Sequence, residues 1–219
     1  MSESKAVIDL SIMAKRPFRL IVGITGATGT ILGVRLLQVL KEANVETHLV
    51  LSNWGARTLV HETSYSVREV QELAARHYGS LDQGAPVSSG SFITDGMVVC
   101  PCSVRSLAAI AQGHGDSLVH RAADVVLKER RKLVLVVRET PLSDIHLENM
   151  LKLSRTGAVI FPPVPAFYNQ PKTIDQLVDQ TVLRILDQFG LHLSSPDRWS
   201  GKMVVASERR SPRGAKTSK

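Results

Sequence analysis

The chain has 219 residues, 43% of them hydrophobic, enough for one sizeable α/β domain with a sheet covered on both faces. Its formal charge of +7 suggests a nucleic-acid partner, but the excess sits at the ends: residues 1–19 carry four basic and two acidic side chains, residues 197–219 seven and two, and residues 20–196 sixteen of each. The folding segment is therefore neutral and lacks the basic face that nucleic-acid binding needs, and no apolar stretch approaches the roughly 20 residues of a membrane span.

Residues 1–17 have no sustained period and end at Pro17, so they read as a flexible lead-in. They show no basic region followed by an apolar core, hence no signal peptide is expected and the cytoplasm is the expected location. Residues 18–196 form the expected domain, and residues 197–219 read as a basic, disordered tail. The organising stretch is LIVGITGATGTILG, Leu20–Gly33. A strand over Arg19–Thr25 meets a turn at Gly26 and Gly29 and passes into a helix over 27–43, with Ile31, Val34, Leu37 and Leu40 at helical spacing. Unpaired N–H groups and the helix dipole converge at such a junction and make a phosphate site, to which Thr25, Thr28 and Thr30 add hydroxyls.

Glu46–Ser52 is the second strand, which completes a βαβ unit. Helices are predicted over 56–62 and 66–77, before a loop rich in Gly, Ser and Pro over 79–91. Met97–Pro101 is the next buried strand, and Ser103 caps a helix that runs to Ala111. A helix over 118–131 precedes Leu133–Val137, an unbroken apolar run of the kind found in central parallel strands. A helix over 145–153, a short strand over 158–161 closed by Pro162 and Pro163, and a long amphipathic helix over 173–189 complete the chain. The alternation predicts an open, mostly parallel, doubly wound α/β sheet of Rossmann-like form. Its ligands bind beyond the strand ends, at the loops starting at Gly26, Ser52, Pro101, Arg138 and Pro162.

The loop Thr25–Gly33 resembles the nucleotide loop of short-chain dehydrogenases, so an NAD(P) oxidoreductase is one reading. Two features count against it. The second strand ends in Leu51-Ser52-Asn53-Trp54, without the acidic residue or arginine that selects a dinucleotide ribose. The only Tyr-x-x-x-Lys match, Tyr168 to Lys172, contains Pro171 and is no regular helix turn. A cofactor with one phosphate suits the loop better, and FMN is the common one. Cys100 and Cys102 flank Pro101, too close for an unstrained disulfide or a two-residue zinc knuckle. The seven histidines form no i, i+4 pair and no group with cysteine, so no metal site is expected.

Further segments carry a resemblance. Gly26-Ala-Thr-Gly29, Ser52, Glu62-Thr63, Ser89-Gly-Ser91, Cys100-Pro-Cys-Ser103, Arg121–Arg131, Leu133–Pro141, Ile145–Ser154 and Phe167–Pro171 resemble, in order and spacing, the flavin prenyltransferases of the UbiX family. The resemblance implies a flavodoxin-like homo-oligomer, often a dodecamer, that transfers dimethylallyl from dimethylallyl phosphate to reduced FMN. A fourth ring forms across flavin N5 and C6 without a metal, and the product serves UbiD-type decarboxylases. FMN-dependent decarboxylases of cysteine carboxyl ends are a second rival. Their Pro-x-Met-Asn-x-x-Met signature is absent, the nearest text being His146-Leu-Glu-Asn-Met150.

The same resemblance assigns residues. Gly26, Ala27, Thr28, Ser52, Ser103, Val104, Arg105, Ser106 and Arg138 match flavin-binding positions. Tyr168 and Arg184 match donor-phosphate positions, with Lys128 and Arg121 as neighbours, because a departing phosphate accumulates negative charge. Glu139, Glu62 and Ser91 are the catalytic candidates. Loss of the ring proton from flavin C6 needs a base, and Glu139 at a strand end is preferred to Glu62 on a helix. Ser103 also reads as a plain N-cap, His146 as a capping or packed histidine, and Trp54 as a cover for the flavin or a filler of the core.

Overall fold

A computed structural model describes residues 16–193. The expected disordered tail and all but the last two residues of the lead-in lie outside the described residues. Strand β1 (Arg19–Ile24) is followed by α1 (Thr30–Glu42), β2 (Glu46–Leu51), α2 (Asn53–Glu62), α3 (Val67–Gln71) and β3 (Arg76–Tyr78). The second half comprises β4 (Gly96–Cys102), α4 (Val104–Gln112), α5 (Leu118–Lys128), β5 (Lys132–Val137), α6 (Asp144–Arg155), β6 (Val159–Ile160) and α7 (Ile174–Asp187).

The six strands form one sheet in the order β3-β2-β1-β4-β5-β6, every pairing parallel. Without the three-residue edge strand β3 this is the doubly wound order of flavodoxin-like proteins. The central strands carry unbroken apolar runs because helices cover both faces. On one face Val22, Val98 and Val134 pack with Leu36 and Leu40 of α1 and Val182 and Ile185 of α7. On the other, Ile21, Val99 and Leu135 pack with Leu107 of α4, Val126 of α5 and Leu153 of α6. Helix α1 lies so close to the sheet that a Cβ on Gly33 would stand 2.4 Å from the carbonyl oxygen of Cys100.

The continuous helix expected over 66–77 is not formed. A capping box between Ser66 and Glu69 starts α3, but the helix stops at Gln71. The Ala75 N–H then donates to Thr47 Oγ1 at 3.1 Å, and residues 76–78 add to the sheet edge beside His48–Val50. Pairing with β2 overrides local helical spacing here.

At the amino-terminal end of the sheet a polar chain crosses three strands. Asp95 accepts both guanidinium nitrogens of Arg16 at 2.7 and 2.6 Å and the Arg19 N–H at 2.7 Å. Arg19 pairs with Glu46 at 2.8 and 2.9 Å. Glu46 also accepts His48 Nε2 at 2.9 Å, and His48 Nδ1 meets the Tyr78 hydroxyl at 2.8 Å. Burial holds the His48 pKa below the ordinary value, against the pull of Glu46. A histidine with a depressed folded pKa loses stability as pH falls below its unfolded value of about 6.5, because the unfolded chain then binds more protons. The urea midpoint is therefore expected to fall between about pH 7 and pH 5.5, above the carboxylate range, and His48→Gln should lessen that slope, leaving the part that comes from His120, whose pKa burial also lowers. An unchanged slope in the variant would remove His48 as a contributor.

Candidate functional site

The strand order reverses between β1 and β4, and a cleft of about 540 Å³ opens there beyond the carboxyl ends. This is the size of a small-molecule site. Thr25 joins the two walls: its N–H and Oγ1 donate to the Pro101 carbonyl at 3.2 and 2.9 Å, and Oγ1 accepts the Ser103 N–H at 2.8 Å. Gly26 is flush with Trp54, whose Cβ would lie 2.6 Å from an added Cβ.

Three helices begin at this cleft, each with a lining serine as its N-cap. Ser52 Oγ accepts Gly55 N–H at 3.0 Å, Ser103 Oγ accepts Ser106 N–H at 3.2 Å, and Ser117 Oγ accepts His120 N–H at 3.4 Å. The positive ends of α2, α4 and α5 thus converge, an arrangement that attracts anions. Arg57 and Arg105 add two cations, and no carboxylate is among the lining residues. Trp54 is 61% exposed with the Arg57 guanidinium 5.1 Å over its ring, so it is a wall of the cleft and not core.

The start of α1, expected from the sequence to be the phosphate site, is already capped. Glu62 accepts the N–H groups of Gly29 and Thr30 at 2.9 and 3.1 Å and the Thr30 hydroxyl at 2.9 Å. Burial opposes its ionisation, but these bonds and one from Thr28 outweigh it and hold the Glu62 pKa low. Glu62 therefore binds the first loop to α2. Ala27 is buried, and Thr28 is exposed on that same loop.

Of the expected flavin residues, Gly26, Ser52, Ser103, Arg105 and Ser106 line the cleft, and Val104 opens α4 between them. Arg138 and Glu139 lie one strand further along. Arg138 N–H donates to the Cys102 carbonyl at 3.1 Å, and Glu139 Oε1 accepts the Thr140 N–H at 3.0 Å. A second group gathers along α5, outside the cleft lining. Arg121 Nε donates to the Ser88 carbonyl at 3.1 Å and pairs with Asp124. Lys128 pairs with Glu129 beneath Gly90, and exposed Ser91 shares a hydrogen bond with Ser89.

A third pair involves α7. The Tyr168 hydroxyl accepts Gln180 Nε2 at 3.0 Å, and Arg184 pairs with Asp187 at 3.2 Å. Arg184 lies about ten residues, or roughly 15 Å, down α7 from its start. The helix ends near Phe189, whose ring lies beside Gly96 at the amino-terminal edge of the sheet. Arg184 and Tyr168 are not among the residues that line the cleft of their own chain. His146 is a capping residue: its Nδ1 accepts the Ser143 N–H at 3.2 Å.

Sequence reasoning missed Ser117 and His120. Ser117 stands just before the apolar period that begins at Leu118, which is an N-cap signal; His120 carries no signal of its own.

A nucleotide-sized, acid-free cleft at the reversal of an open parallel sheet defines an α/β protein that binds a phosphorylated cofactor. A family model described as Flavoprotein matches residues 11–186, and the chain belongs to that family, within its UbiX-type flavin prenyltransferases. It is 59% identical to the probable UbiX-like flavin prenyltransferase of Bacillus subtilis over 84% of this chain and 90% of that one. The solved structure of AnUbiX in complex with FMN and dimethylallyl pyrophosphate is 54% identical, with a TM-score of 0.83, covering 86% of this chain and all of that one. A dodecameric FMN-dependent UbiX-like decarboxylase from Escherichia coli O157:H7 is 60% identical, with a TM-score of 0.82, over 84% and 100% of the two chains. The chain is thus a transferase of the flavin prenyltransferase kind.

Proposed function

We propose that the cleft binds FMN and that the chain transfers a dimethylallyl group from its phosphate or pyrophosphate to N5 and C6 of the reduced flavin. The observation that carries this reading is the acid-free cleft, in which three helix starts and two arginines line one nucleotide-sized space. When bound, reduced FMN supplies the nucleophilic ring that accepts the prenyl carbon. Ser52 and Ser106 position it by hydrogen bonds from their side chains, the N–H groups of Val104 and Arg105 in the first turn of α4 add to them, and Arg57 and Arg105 neutralise its phosphate. Glu139, next to Arg138 at the end of β5, takes the proton lost in forming the second bond.

Ser91, Arg121 and Lys128 form one half of the donor-phosphate site. Tyr168 and Arg184 form the other half, and they do so for the cleft of another copy, since α7 carries Arg184 away from its own. The homo-oligomer is therefore part of the site, and the relative named as a dodecamer supports this assembly. A UbiD-type decarboxylase receives the product. The cytoplasm is the proposed location, which the free, buried Cys100 and Cys102 suit; no helix among the described residues is long and apolar enough to cross a membrane.

Anaerobic mixing of the FMN-loaded protein with reductant and dimethylallyl phosphate should increase the flavin mass by one prenyl group. Recovery of a nicotinamide nucleotide from the heated protein would overturn the reading. Arg184→Ala should lower the rate at limiting donor by about two orders of magnitude, the effect of losing one charged phosphate contact.

A further inference from the structure

The cleft contains a histidine to which the reading above gives no task. His120 is the third residue of α5, its imidazole half-buried against α4. Its Nε2 lies 3.2 Å from the hydroxyl of Ser106, and its Nδ1 is buried without a hydrogen-bond partner. Burial, and after it Arg105, holds the imidazole pKa low against Asp116, so the ring is neutral at neutral pH. Neutral imidazole carries one N–H and one bare nitrogen. A buried N–H without an acceptor is the costlier orphan, which assigns the proton to Nε2 and leaves Nδ1 bare.

That assignment determines the direction of the neighbouring bonds. Ser106 Oγ accepts from His120 Nε2 at 3.2 Å and from Ser103 Oγ at 3.2 Å. Both lone pairs of the Ser106 hydroxyl are then engaged, and its own proton is left to donate. Ser106 is only 6% exposed and lines the cleft, so the remaining direction is toward the ligand. We infer that His120 is a positioning residue that holds the Ser106 hydroxyl as an obligatory donor to an acceptor atom of the flavin ring. Two-electron reduction makes the ring electron-rich, and a fixed donor binds that state better than the oxidised one. His120 would thus act on the reduced form that the transfer needs.

The inference rests on the assignment of the cleft to FMN, and the test separates the two. The dissociation constant of oxidised FMN is read by fluorescence quenching of the full chain, and the midpoint potential of the bound flavin by dye equilibration. Wild-type protein that quenches no FMN would defeat the cleft assignment. If FMN binds, His120→Phe, which fills the space without a donor, should weaken the reduced form about fivefold relative to the oxidised one, the effect of one neutral hydrogen bond. For a two-electron couple this lowers the potential by about 20 mV. His120→Gln, whose amide restores an N–H at the same reach, should keep the wild-type potential. Ser106→Ala should show the same fall, and the Ser106→Ala/His120→Phe pair no further one. A wild-type potential in His120→Phe, or additive falls in the pair, overturns the inference. Should His120→Phe not fold, a wild-type potential in Ser106→Ala overturns it equally.

Discussion

Glu139→Gln is expected to slow prenyl transfer by about 10²- to 10⁴-fold, the usual range for removing a positioned base, while FMN binding is retained. Val137 is in register with Cys102, the residue before the lining Ser103, and Glu139 follows two residues beyond β5, on the strand next to the one that leads into the cleft. Glutamine keeps the shape and the oxygen that accepts the Thr140 N–H, so the local backbone has no reason to move. What disappears is the capacity to take a proton. Stopped-flow absorbance with mass analysis of the flavin measures the rate, and an unaltered rate would exclude Glu139 as the base. Because Arg184 is proposed to serve another copy, refolding Glu139→Gln chains together with Arg184→Ala chains should restore part of the activity. No restoration would return both residues to one chain's site.

Gly33→Ala should destabilise the fold by about 3 kcal/mol, and the sign of this effect is decided by two opposed contributions. In an open helix the change would favour folding by about 1 kcal/mol, since alanine loses less backbone entropy than glycine. Here the added carbon would meet the Cys100 carbonyl at 2.4 Å and Ile24 Cδ1 at 2.9 Å. The carbonyl is backbone of β4, a strand paired on both sides, and it cannot swing aside. The clash therefore outweighs the propensity. Gly115→Ala, where a Cβ meets nothing within 4 Å, should leave the urea midpoint within about 0.5 kcal/mol of wild type. A Gly33→Ala protein as stable as wild type would show that α1 stands further from the sheet.

Residues whose partners are close in sequence were the legible ones. The apolar run Leu20–Ile24, the serine that starts α4 and the unbroken Leu133–Val137 announce their elements because period and capping are local properties. Strand β3 was not legible, since what turns residues 76–78 from helix to strand is an edge of β2 and a bond to Thr47. The cap on α1 was not legible for the same reason: the Gly29 and Thr30 N–H groups are taken by Glu62, about 30 residues on. At the cleft, Gly26 and Ser103 could be read from turn and cap chemistry. His120 could not, because its importance comes from a contact with Ser106 across two helices.

The two outermost strands have a consequence for how copies of the chain meet. β3 has three residues and β6 has two, and Arg76 and His77 stand exposed on the former. A long, bare strand margin is a template on which further strands add, in crystals of amyloid as in swapped dimers. These margins are too short to seat one. Growth of the sheet from molecule to molecule is closed off at both sides, and subunits must join through helix and loop faces. Those faces carry exposed Ile145, Leu147, Leu151, Val164, Phe167 and Ile174, apolar side chains of the kind that contacts between copies bury.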